Sequence, residues 1–219
     1  MSTQKNGDWD RYPEHTIITR GVRGLDVTLW IDMIKRRLND APPAIVTKVE
    51  HFKCTGRFSN EFLAIHLKHP IRTGLKKHPT VLFIDRVAYP DFLIAPGFKS
   101  PSFPSSILAR ERISIPPPDQ NYMQFVSQER GEQRPILLSR LDFSQHPTDE
   151  DLLNILEFAS EKHPPHENDY QGFWYAGLVF DALSDRFPSQ RYEERADERG
   201  SLIGKCEWAK LKDDFEGWV

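Results

Sequence analysis

The sequence predicts an α+β protein, a mainly antiparallel sheet packed against a buried central helix. Two observations carry this expectation. Three runs rich in β-branched and aromatic residues succeed one another between 44 and 88, whereas the clearest helical periodicity comes later, at 146–164 and 169–186. The order of one helix, a block of strands and then two helices suits segregated layers of strand and helix.

Along the chain, residues 1–13 are polar and read as a flexible tail, and "HTIITRG" (15–21) reads as a short strand ending at a glycine. "LDVTLWIDMIKRRLND" (25–40) spaces Leu29, Ile31, Met33, Ile34 and Leu38 for a helix. Asp26 or Thr28 is its cap, the Lys35-Arg36-Arg37 cluster suits its negative end, and Pro42-Pro43 stop it. Strands are expected at 44–53, 60–69 and 80–88. "CTGRFS" is a hairpin connection between the first two, and the nearly continuous apolar third suits a central position.

Residues 90–118 hold seven of the 17 prolines and read as a long surface excursion. Two weaker strands, 122–127 and 135–143, return to the sheet. "HPTDEDLLNILEFASEKHP" (146–164) is a helix with Thr148 as N-cap, an acidic first turn and a stripe of Leu152, Leu153, Ile155, Leu156 and Phe158. The charged stretch 189–219 reads as solvated with a few anchors. The expected organisation is a tail (1–13), one domain (14–187) carrying the proline-rich insertion 90–118, and a charged C-terminal segment (188–219).

Composition narrows the function classes. The 219 residues are 38% hydrophobic and 28% charged, enough for a core, and the net charge of −3 offers no basic footprint for nucleic acid. No apolar run approaches the roughly 18 residues of a membrane span, and the amino terminus lacks a secretory-type apolar segment. Cys54 and Cys206 make no disulfide framework, so a soluble, cytoplasmic protein is expected. Phosphate loops, dinucleotide fingerprints, metalloprotease helices and Gly-x-Ser-x-Gly elbows are all missing from the sequence, and no cofactor is expected.

The stretch "NDYQGFWYAGLVFDAL" (168–183) is the most informative. Phe173, Ala176, Phe180, Leu183 and Phe187 form one face, widened by Trp174, Leu178 and Ala182. The first turn of such a helix offers unpaired amides and the positive end of the dipole, which would lower the pKa of a cysteine placed there. Gly172 occupies that turn instead.

The run Gln171-Gly172-Phe173-Trp174-Tyr175-Ala176, then Phe180-Asp181-Ala182-Leu183, resembles a Gln-Cys-Tyr-Trp-Phe-Ala … Glu-Ala-Leu signature of uncharacterised proteins of mushroom-forming fungi. Those proteins also carry a His-Glu-Phe strand and a strand with an acidic–Arg pair; Asn60-Glu61-Phe62-Leu63 and Ile84-Asp85-Arg86 are the matching stretches. The layout is similar to the permuted papain-like fold of lecithin–retinol acyltransferase relatives, over residues 44–88 and 148–187. The resemblance implies a thiol hydrolase or acyltransferase cleft whose cysteine is replaced by Gly172 and whose histidine is replaced by Asn60. Glycine supplies no nucleophile, and asparagine is no general base near neutral pH. A non-catalytic protein that keeps the pocket follows, with Asn60, Glu61, Gln171, Gly172 and Trp174 as its ligand-binding residues. Helix amides would receive an acyl carbonyl or carboxylate. The competing account is plain packing, in which Gly172 admits a close neighbour and the aromatics are core.

Three other residues are candidates for chemistry. His66 is a base on the strand expected to line the pocket, Cys54 is a nucleophile at the hairpin with His51 or His66 as partner, and Asp85 is a carboxylate that orients a histidine. Each has a bland counterpart: a hydrogen-bonded core histidine, a cysteine without a helix terminus to activate it, and a structural ion pair. His51, Cys54, His66 and His69 have the superficial spacing of a zinc site, but members three apart on a strand point to opposite faces, so no metal is expected. The alternatives to a binding protein are an active hydrolase or acyltransferase using Cys54 or His66, and a scaffold engaging another protein through the proline-rich segment.

Overall fold

The computed structural model describes residues 24–36, 43–54, 61–68, 80–88, 109–117, 120–129, 135–162, 171–195 and 206–218. Its strands are β1 (Leu25–Asp26), β2 (Ile45–Lys53), β3 (Glu61–Lys68), β4 (Thr80–Ala88), β5 (Ala109–Ser114), β6 (Ile136–Phe143) and β7 (Ser189–Glu193). They form one seven-stranded sheet in the order β1-β5-β4-β3-β2-β6-β7, with every pairing antiparallel. Strands β2 to β5 are a meander, and β6 returns to the free side of β2. The α+β class with an antiparallel sheet is therefore observed.

The helices are α1 (Val27–Lys35), α2 (Tyr122–Glu129), α3 (Asp149–Glu161), α4 (Gln171–Arg186) and α5 (Cys206–Trp218). Asp26 caps α1, its carboxylate accepting from the amides of Thr28 (2.9 Å) and Leu29 (3.4 Å). Thr148 caps α3 in a capping box: its hydroxyl accepts from the Asp151 amide (3.1 Å) while the Asp151 carboxylate accepts from the Thr148 amide (2.8 Å). The start of α3 is tied to β2, since Asp149 N donates to the Ala44 carbonyl and Ala44 N to the Asp149 carboxylate.

One sheet face buries a large apolar core. Val49, Leu63, Ile65, Leu82, Ile84, Ile113 and Leu141 point toward α1, α3, α4 and α5. Helix α4 lies over β4, β3 and β2 and also packs on α3 and α5. The other face carries a smaller cluster, in which Phe52, Phe62, Ala64 and Phe83 meet Phe125 and Val126 of α2. The period-two alternation of β2, β3 and β4 thus serves two cores, one on each side.

Several expectations are corrected. Residues 122–127, read as a strand from their β-forming residues, are helix α2. Asn121 caps it by accepting from the amides of Met123 (2.9 Å) and Gln124 (3.4 Å), and Tyr122, Phe125 and Val126 recur at helical spacing toward the sheet. The proline-rich excursion contains β5, whose Ile113 is buried beneath the helices. The segment expected to be solvated supplies β7, paired with β6, and α5, whose Phe215 packs edge-on against Phe158 at 4.9 Å. Leu211, Phe215 and Trp218 recur every three or four residues, the period of an anchoring stripe. The expected strand at 15–21 lies outside the described residues. Among the described residues no helix is long and apolar enough to cross a membrane.

Candidate functional site

Strand alternation places an unusual set of charges under α4. Lys53 of β2 pairs in register with Glu61 of β3, and Arg86 of β4 with Glu111 of β5. Glu61 stands one step beyond the Phe62–Asp85 register pair, so it is level with Arg86. The four residues form a row of alternating sign across four strands, on the face that also presents Leu63 and Ile84 to α4. The first turns of α4 cover this row: Phe173 lies under the Lys53 ammonium, 5.9 Å from ring centre, and Trp174 faces the Arg86 guanidinium at 5.7 Å.

The burial is severe. Glu61 is 1% exposed, and its carboxylate lies 2.7 Å from Nε2 of His51, which is fully buried against Phe180. Arg86 is 4% exposed, with its Nε 3.3 Å from the Glu111 carboxylate. Taking such charges out of water costs several kcal/mol each, so they persist only where neighbouring charges and dipoles compensate. Burial pushes the Tyr175 phenol of α4 above the usual range; the Ser160 hydroxyl opposes this, and Glu111 and Arg86 lie near enough to act on it. Further along α4, Arg191 pairs with Asp181 at 3.2 Å and with Glu193, and covers the Phe180 ring.

The opposite face carries a wetter network. The Glu50 carboxylate accepts from Lys48 Nζ at 2.8 Å and from the Tyr122 hydroxyl at 3.3 Å, and lies 2.7 Å from His66 Nε2. The side chain of His66 keeps 14% of its surface exposed. Burial alone would raise the Glu50 pKa, but hydrogen bonds and charge from His66 and Lys48 hold it down at about 2. Burial, then the Glu50 charge, raises the Tyr122 phenol.

The residues singled out in the sequence divide between these faces. Glu61 and Trp174 both lie on the α4 side, Glu61 level with the Arg86 that Trp174 faces, and Gln171 and Gly172 are the first two residues of the helix. Asn60 lies outside the described residues and immediately precedes Glu61 in the chain. His66, Cys54 and Asp85 all lie on the α2 side, so His66 is away from the α4 pocket that its strand was expected to line. Cys54 is buried in the phenylalanine cluster. It stands six residues past Lys48, the register partner of His66, which at strand rise is roughly 20 Å. Asp85 is held by Arg112 through two hydrogen bonds, 3.2 Å to Nε and 2.8 Å to Nη2, and its level is four residues from His66 along β3, roughly 13 Å. The three do not assemble into a triad.

His51 and Glu111 were not singled out for this site. The signal for His51 is present in "VEHFK", because it shares a strand face with the apolar Val49 and should point into the main core. Glu111 is silent without the pairing partner of β5. His51 and Cys54 do point to opposite faces, and among the described residues no cluster of His, Cys, Asp and Glu is placed to hold a metal ion. Comparison with known proteins returned no match, whether by family model, curated protein or solved structure.

Proposed function

We propose that this chain is a non-catalytic, papain-like protein that binds a small acyl-bearing ligand, or a partner presenting one, at the amino end of α4. One juxtaposition supports the reading. Glu61, Arg86 and Trp174, which belong to three separate stretches carrying the family resemblance, converge on a single patch beneath the helix that begins at Gln171 and Gly172. Residues kept only for packing would have no reason to place a carboxylate, an imidazole and a guanidinium in a dry layer, where each is costly. With glycine at position 172 the helix terminus has no nucleophile to activate, but its amides still attract an acyl oxygen.

The rival reading, an active hydrolase or acyltransferase using Cys54 or His66, has weaker support, because the register separates the two and Cys54 is buried. The scaffold reading rests on the proline-rich segment, most of which lies outside the described residues. An amide-resolved NMR titration with short acyl compounds separates the three. Binding should shift the amides of residues 172–175 most, with no turnover of ester or thioester probes and no native-state alkylation of Cys54. Shifts confined to the α2 face, or turnover lost on Cys54→Ser, would replace the binding reading with the enzymatic one. Binding of a protein partner abolished by deleting 90–108 would favour the scaffold.

A further inference from the structure

Arg86 and Arg112 are both arginines facing a carboxylate across the β4–β5 ladder, and only one of them is saturated. Arg112 engages Asp85 through Nε and Nη2 in the fork geometry that makes such pairs strong. Arg86 approaches Glu111 only through Nε, at 3.3 Å, without hydrogen-bond alignment. Among the described residues, its Nε and Nη1 are buried with no hydrogen-bond partner. A guanidinium carries five donors and cannot shed its charge, and buried donors of this kind are uncommon because each costs about 1–3 kcal/mol.

The neighbours do not resolve the deficit. Glu61, level with Arg86, lies against His51. Trp174 turns a ring face to Arg86 at 5.7 Å, and among the described residues the buried Tyr175 hydroxyl has no hydrogen-bond partner of good geometry. Meanwhile α4 begins at Gln171, three residues before the Trp174 that faces this guanidinium, so its first-turn amides, which have no intrahelical acceptors, lie at the same end of the sheet.

We propose that the ligand of the α4 cleft is a carboxylate, its oxygens received by Arg86 together with the first-turn amides of α4, and its chain lying against Trp174. This rests on the cleft reading above and adds the charge of the ligand to it. A carboxylate matches the planar donor edge of arginine, whereas an ester or primary amide of equal length offers one weaker acceptor.

The test compares hexanoate with hexanamide, monitored by the α4 amides in NMR titrations of the full chain. The wild-type protein should bind hexanoate about tenfold more tightly, the difference between charge-assisted and neutral hydrogen bonding. Arg86→Lys should narrow that ratio. The double variant Arg86→Met/Glu111→Met, which removes both charges of that pair, should bring the ratio of the two affinities close to one. Equal wild-type affinities, or a preference that survives in the double variant, would overturn the carboxylate assignment and leave the cleft reading standing. Failure of both compounds to perturb 172–175 in the wild-type protein would overturn both. Should either variant fold poorly by circular dichroism, the wild-type ratio alone decides.

Discussion

On neighbouring strands β4 and β5, two arginine–carboxylate pairs stand side by side and point opposite ways. On the α2 side, Arg112 grips Asp85 with two hydrogen bonds and both groups are satisfied. On the α4 side, Arg86 meets Glu111 at 3.3 Å and keeps buried donors to spare. The same chemistry recurs in the histidines. His66 sits at the edge of solvent with Glu50, Lys48 and Tyr122, while His51 lies fully buried against Glu61. The difference teaches that charge on the α2 face is arranged for stability, where water and partners screen it. On the α4 face the Arg86 guanidinium is held at a cost that its pairing with Glu111 does not fully offset, which is the ground for proposing the site there.

The contrast can be broken by substitution. The largest effect is expected at Glu61, because removing one member of a fully buried pair takes the closest carboxylate away from a histidine that water does not reach. Glu61→Ala should lower stability by about 3–5 kcal/mol in urea denaturation. An effect below about 1 kcal/mol would show that the α4 face is wetter than its burial implies.

Glu50 should give the next largest effect, and it depends on pH. Its carboxyl is depressed from 4.5 to about 2 in the folded chain. Its contribution is therefore fully present above pH 4.5 and lost as pH falls toward 2, the unfolded chain binding the proton first. By linkage this amounts to something on the order of 2–3 kcal/mol. Glu50→Gln should flatten that part of the acid limb in a series of denaturation curves, and an unchanged limb would count against the network. The smallest effect belongs to Tyr122→Phe, which removes one 3.3 Å hydrogen bond to Glu50. About 1 kcal/mol is expected, with the Glu50 transition moved only slightly.

How far the sequence revealed these two faces follows from what each signal requires. Apolar alternation made β2, β3 and β4 legible, since their cores lie on both sides. The Thr148 cap and the acidic first turn made α3 legible. Polar or charged elements were harder to read. "ARERIS" becomes a strand only because β4 lies beside it, "SQRYE" is an edge strand with little to bury, and the β-forming residues of 122–127 suggest a strand unless Asn121 is recognised as a helix cap. The site divided in the same way. Glu61 and Trp174, each expected from one local pattern, lie on the same α4 side of the sheet. His66 is expected at the pocket from its strand alone, but facing direction depends on register, and at that position β3 faces the α2 side. The pairing of Glu61 with His51, and of Arg86 with Glu111, needed the sheet itself.

The central claim is that the first turn of α4, whose Trp174 covers Arg86, is an anion-attracting seat. It is tested most directly by placing a thiol there. In a Cys54→Ser/Cys206→Ser background, the alkylation rate of Gly172→Cys measured against pH reports the ionisation of that thiol. The account predicts a pKa at least about one unit below the ordinary value near 8.5, lowered by the helix terminus and Arg86. A thiol that ionises at or above the ordinary value would contradict it, leaving position 172 as packing.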